Sequence, residues 1–210
     1  MKPSNLFFGS VVVIVLLIIV YSFSGEQANE VYEEKIAAFR SDKNKLFSEG
    51  EGSPLDRKQK KIFTTLNYFP VNPAYRIIAD FEKFPVPQSI EVNTTKNMPR
   101  ILKKHGVAKF QLNNITHELV VLKSMDRLAD KILFIPFVDD TSGGSTYGAG
   151  RYLDAEMSGN NKIILDFNTA YNPYCAYNPT YECPLPPKEN YLATKIEAGE
   201  KNFESKLLEE

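Results

Sequence analysis

Hydrophobic and polar positions divide this chain into stretches of different period. The first, Leu6 to Phe23, is an 18-residue run with no charged side chain, dominated by Val, Ile, Leu and Phe. As a helix it rises about 27 Å, close to the hydrocarbon thickness of a bilayer. Secretory apolar regions are usually about 7–15 residues, so residues 1–25 read as a transmembrane anchor. Ser22 and Ser24 before Gly25 leave signal-peptide cleavage open as the alternative. Lys2 precedes the run, and Glu26, Glu30, Glu33 and Glu34 follow it. The positive-inside rule then keeps the N-terminus in the cytoplasm and exports the rest. The expected product is a single-pass cell-membrane protein with an extracytoplasmic domain, or a secreted one if the segment is cleaved.

From Glu26 to Phe47 the period becomes helical. Val31, Tyr32, Ile36, Phe39, Leu46 and Phe47 recur at three- and four-residue steps between Lys, Arg and Glu. Ile36 and Phe39 call for a partner surface, so a helix packed on the domain is preferred to a free stalk. Ser48-Glu49-Gly50-Glu51-Gly52 is a stop, and Ser53 followed by Pro54 predicts a second helix with Ser53 as its N-cap. Residues 26–69 are thus a helical lead-in.

Beyond Pro70 the pattern turns to short extended runs. Tyr75–Phe81, Ile90–Thr95, Ile101–Lys104, Val107–Leu112, Leu119–Leu122, Ile132–Val138, Arg151–Met157, Ile163–Phe167 and Leu192–Ala198 predict eight or nine strands over residues 70–203. Pro85 and Pro87 separate the first two, and Asn113-Asn114 reads as a two-residue hairpin turn. No long helix intervenes. The fold class is therefore mainly β, an antiparallel barrel or sandwich, with residues 204–210 as a charged tail. Length and composition fit one ordinary globular domain of roughly 150–180 residues. A formal net charge of −1, with no basic stripe, argues against nucleic acid as a partner.

Candidate chemistry gathers where strands end. If the runs at 132–138, 151–157 and 163–167 form an antiparallel meander, then Asp140, Arg151 and Asn168 share one edge, with Asp166 a step inside. Tyr147 sits in the glycine-rich loop between the first two runs, and Asn172 opens a Pro-rich segment that returns over the same edge as a lid. Alternation places Arg151 with Leu153 and Ala155, but Asp166 on the face opposite Ile163, Leu165 and Phe167. For the two to meet, either a bulge near Gly148 or Gly150 re-aims a strand, or the barrel interior is polar at its mouth. The rim Asp140, Tyr147, Arg151, Asp166, Asn168 and Asn172 suits a small polar ligand or cell-envelope component. The alternatives are an envelope hydrolase using Asp140 or Asp166 as acid/base, with Arg151 stabilising developing charge, and a purely structural rim.

No cofactor pattern appears, since the glycine loop lacks a phosphate-binding signature, and His105 and His117 lack metal-ligand spacing. Cys175 and Cys183, in an exported domain, predict a disulfide closing a nine-residue loop, stabilising by roughly 2.6 kcal/mol on the chain-entropy argument. Their spacing fits neither a short metal loop nor a Cys-x-x-Cys redox motif.

The blocks FVDDTSGGSTYGAGRYLD, LDFNTAYNPYCAYNPTYECPLPPKENYL and IEAGEK resemble the signature blocks of the bacterial family called domain of unknown function 1684. The likeness runs from about Phe39 to Phe203. It implies a bacterial, single-domain protein and supplies no activity and no established catalytic residue.

Overall fold

The computed structural model describes residues 27–123 and 133–203. The apolar run at Leu6–Phe23 lies outside them; among the described residues no helix is long and apolar enough to cross a membrane. The chain divides into two compact units, Met1–Phe39 and Arg40–Glu210. Residues 27–49 form a helix, α1, which ends at Gly50 as the stop signal requires. The second helix, α2 (Arg57–Ile62), begins later than expected. Its N-cap is Asp56, which accepts from the Lys58 and Gln59 amides, while the Gln59 side chain answers the Asp56 amide to complete a capping box. Ser53 instead donates to the Phe47 carbonyl, tying the turn to the end of α1.

Six strands close into an antiparallel barrel: β1 (Arg76–Val92), β2 (Arg100–Leu112), β3 (Ile115–Lys123), β4 (Leu133–Asp139), β5 (Arg151–Met157) and β6 (Lys162–Asp166). Each pairs with the next in sequence, and β6 returns to β1 through Arg76↔Asp166 to Asp80↔Lys162. A two-residue β7 (Tyr191–Leu192) lies parallel to the end of β4. Closure leaves the barrel without an open edge.

The strand count is lower than the pattern suggested because two pairs of runs are single strands interrupted by irregularities. Pro85 and Pro87 fall where β1 shifts register against β2, between Lys83 and Gln88, so neither interrupts a regular ladder. His105 falls in the matching shift of β2 against β3. Each shift turns the strand over: Ala79 and Phe81 face the barrel core, whereas Val92 and Leu102 join Val120 and Leu122 in a separate cluster. Gly106 beside His105 is required by close approach, since a Cβ there would lie 2.3 Å from the Glu82 carbonyl oxygen. The Asn113-Asn114 turn is as predicted, both residues holding positive φ (53° and 62°).

His105 stacks on Phe81, and burial, reinforced by Lys83 and Lys123, holds its imidazole below the usual value. The folded state thus binds this proton less readily than the unfolded chain, and His105 costs stability as pH falls through its depressed value. Urea unfolding from about pH 8 to about pH 5 is expected to show an acid-side loss that His105→Gln reduces. Superimposable pH profiles would show that the stack does not resist protonation.

The barrel is filled. Phe81, Phe110, Leu119, Val121, Ile135, Phe137, Leu153, Ile163, Leu165 and Phe167 occupy its interior, and Ile196 and Ala198 cover one end. A second core joins the lead-in to the Pro-rich lid: Phe47, Leu55, Phe63 and Leu66 surround Tyr177, whose ring meets Phe47 edge-on at 4.8 Å. Gln59 Nε2 donates to the Tyr177 carbonyl, and Asn178 Nδ2 to the Pro54 carbonyl. The β3–β4 pairing itself covers only Leu122↔Phe134 and Lys123↔Leu133. Below it the buried Asn190 side chain replaces the missing ladder, exchanging hydrogen bonds with the Val120 amide and carbonyl and donating to the Pro136 carbonyl.

Candidate functional site

Strand direction brings the end of β4, the start of β5 and the end of β6 to one end of the barrel, as the meander required. Arg151 and Asp166 do not meet there: Asp166 pairs with Arg76, and the carboxylate that joins Arg151 inside the barrel is Asp139. Alternation carries Ile135 and Phe137 inward, so the next inward residue is Asp139 rather than Asp140. On β5, Arg151 lies inward beside Leu153 and is fully buried. Its Nη2 donates to Asp139 Oδ1 at 3.2 Å and to the Ile196 carbonyl at 2.8 Å; Nη1 reaches the carbonyls of Ala198 at 2.5 Å and Glu200 at 3.2 Å. Asp139 Oδ2 in turn accepts from the Thr141 amide and hydroxyl and from the Ile196 amide. Burial pulls the guanidinium below its ordinary value, and Asp139 opposes that shift.

The residues placed at the rim therefore do not form one cluster. Asp140 is exposed and accepts from the Tyr191 hydroxyl at 2.6 Å. Asp166 faces the outer side, 3.9 Å from Arg76 Nε, and accepts from the Asn168 amide. Asn168, fully buried, exchanges two hydrogen bonds with the backbone of Asn72 and so pins the strand entry to the end of β6. Tyr147 is half-buried against the second core, its hydroxyl 3.8 Å from Cys175 Sγ. The two cysteines are free thiols rather than the expected cystine: the Cys175 amide donates to Cys183 Sγ at 3.2 Å, and the Tyr147 hydroxyl donates to Cys175 Sγ.

Asn172 leads to a feature that sequence reasoning missed. Its amide and the Lys43 ammonium (2.8 Å) both donate to Glu200 Oε2, and the Tyr177 hydroxyl donates to Glu200 Oε1. Glu200 is only 1% exposed, so these donors replace its hydration. Burial first, then the neighbouring Glu200 charge, keeps the Tyr177 phenol protonated and able to donate. Lys43 also lies 4.7 Å over the Tyr171 ring, and the Tyr171 hydroxyl donates to Asp154 Oδ2 at 3.1 Å. Asp154 is open to solvent at the surface, yet partial desolvation raises its carboxyl against the pull of Tyr171 and Lys43. Among the described residues, the buried Asn172 Oδ1, Tyr68 hydroxyl and Arg151 Nε have no hydrogen-bond partner.

A six-stranded antiparallel barrel, closed at one end by an internal Arg–Asp pair and strapped by a Pro-rich lid, defines the class of protein. The chain belongs to the family described as protein of unknown function (DUF1684), whose model matches residues 61–201. It is also similar to the solution structure of the uncharacterized protein from gene locus rrnAC0354 of Haloarcula marismortui, with 34% identity and a TM-score of 0.65 over 83% of this chain and 96% of that one. No curated protein matches it.

Proposed function

We propose that the protein is a membrane-anchored, extracytoplasmic binding domain for a small polar ligand or cell-envelope component, and that the ligand is held beside Lys43, Asp154, Tyr171 and Asn172. The observation that carries this reading is the pair of unanswered polar atoms beside Glu200, Asn172 Oδ1 and the Tyr68 hydroxyl. Each such atom left without a partner costs about 1–3 kcal/mol, and native proteins satisfy them with water or ligand. From Glu200 the contacts run through the Lys43 ammonium, which lies over the Tyr171 ring, to the Tyr171 hydroxyl bonded to Asp154 at the surface, which gives a ligand both a cation and an acceptor. A hydrolytic reading finds less support, because every Nη donor contact of Arg151 is already internal and the side chain is fully buried.

Thermal-shift screening with N-acetylated envelope sugars, short peptides and nucleotides is expected to give one stabilising class, by about 2.7 kcal/mol at a hundredfold excess over Kd. Tyr171→Phe and Asp154→Asn should fold normally and weaken that ligand at least tenfold, while Asp140→Asn leaves it unchanged. Loss through Asp140→Asn alone would return the site to the strand-end rim, and no stabilising class at all would overturn the reading.

A further inference from the structure

Cys175 and Cys183 lie in different surroundings although their sulfurs are neighbours. Cys175 is half-exposed on the 3-10 turn Tyr174–Ala176; Cys183 is 6% exposed, its backbone bridged on both sides to Thr95 through the Thr95 hydroxyl and the Thr95 amide. The Tyr147 hydroxyl donates to Cys175 Sγ at 3.8 Å, and the Cys175 amide donates to Cys183 Sγ at 3.2 Å, so the second sulfur lies directly behind the first. Thiol–disulfide exchange needs this asymmetry: an accessible, hydrogen-bonded thiolate to attack, and a second sulfur close behind it to resolve the adduct.

We propose that Cys175 and Cys183 are a reversible dithiol–disulfide pair that exchanges with small disulfides, Cys175 attacking and Cys183 resolving. The Cys175 thiolate attacks one sulfur of R–S–S–R; that bond breaks, Cys175–S–S–R forms, and R–S⁻ leaves to take up a proton. Cys183 then loses its proton, attacks the Cys175 sulfur and expels the second R–S⁻. The two protein thiols are oxidised and one disulfide is reduced to two R–SH. The local environment favours this division. The Cys183 hydrogen bond leads in bringing the Cys175 thiol down to about 7, with Tyr147 and Thr95 adding to it against desolvation, whereas its hydrogen bond to Cys175 and then burial raise Cys183. The seven-residue gap between the cysteines hides this pairing from any short-motif reading, since the Asn-Pro turns and the strap to Thr95 bring them together.

The test uses the reduced full-length chain, bis(2-hydroxyethyl) disulfide as the oxidant, and mass spectrometry under native conditions. Wild type is expected to lose two hydrogens and regain them with excess 2-mercaptoethanol without denaturant. Cys183→Ser should stop as a mixed disulfide on Cys175, and Cys175→Ser should react at least tenfold more slowly. Iodoacetamide labelling of Cys175 should have its pH midpoint near 7, moved upward in Tyr147→Phe, a change that leaves both sulfurs and, by circular dichroism, the fold. A wild-type protein that halts at the mixed disulfide, a cystine that opens only after unfolding, or a labelling midpoint at the free-cysteine value of about 8.5 would each overturn the proposal.

Discussion

Arg151→Ala is expected to destabilise the protein by about 3–5 kcal/mol, read as a lower urea midpoint at unchanged slope. The substitution removes the guanidinium bonded to Asp139 and strips the donor from the carbonyls of Ile196, Ala198 and Glu200. It leaves a fully buried carboxylate, which costs far more than the loss of an exposed ion pair. Arg151→Lys is expected to recover little of the loss, because one ammonium cannot reproduce a planar fork that spans Asp139 and three carbonyls. A variant that folds with wild-type stability would show that the guanidinium is not an internal latch joining Asp139 to the carbonyls of residues 196–200.

Glu200→Ala carries the second large effect, also about 3–5 kcal/mol. It leaves the Lys43 ammonium, the Tyr177 hydroxyl and the Asn172 amide facing an empty acceptor position. Since Lys43 belongs to α1 and Asn172 to the lid, the variant should also release the lid. Faster amide hydrogen exchange at Ala176 and Tyr177, whose amides bond within the lid, is the accompanying readout. Tyr177→Phe should cost less, about 1–3 kcal/mol, because it removes one donor and keeps the ring between Phe47 and Phe203. Equal stability of Glu200→Ala and wild type would mean that the carboxylate does not join lead-in to lid.

Much of the barrel could be read from period-2 patterning and turn chemistry. Asn113-Asn114 declared its turn because two consecutive positive φ values suit Asn, and the placement of three strand ends on one edge follows from antiparallel direction alone. Strand number was harder. A proline normally ends a ladder, and the sequence has no sign that Pro85 and Pro87 sit inside a register shift of one long strand. Leu192–Ala198 has the composition of a strand, yet only Tyr191–Leu192 pairs, because the carbonyls of Ile196 and Ala198 turn to Arg151 and cannot serve a neighbouring strand.

Site residues were legible where they shared a strand and obscure where they did not. Carrying the alternation of Ile135 and Phe137 one step further would have selected Asp139 over Asp140 as the partner of Arg151. Nothing local links Lys43 to Glu200, 157 residues away, or Asn190 to Val120, 70 residues away. Asn72 was passed over for the same reason: its bonds to Asn168 are made through its backbone, which no side-chain pattern reports. The motif blocks thus mark residues that assemble the mouth of the barrel. The polar partners of Glu200, by contrast, come from segments that only the fold unites.

A double-mutant cycle between Arg151→Met and Asp139→Leu, measured by urea unfolding, tests the internal latch most directly. The latch predicts that the double variant is more stable than the sum of the single losses allows, with a coupling of at least about 2 kcal/mol. Losses that add to within about 0.5 kcal/mol would contradict it.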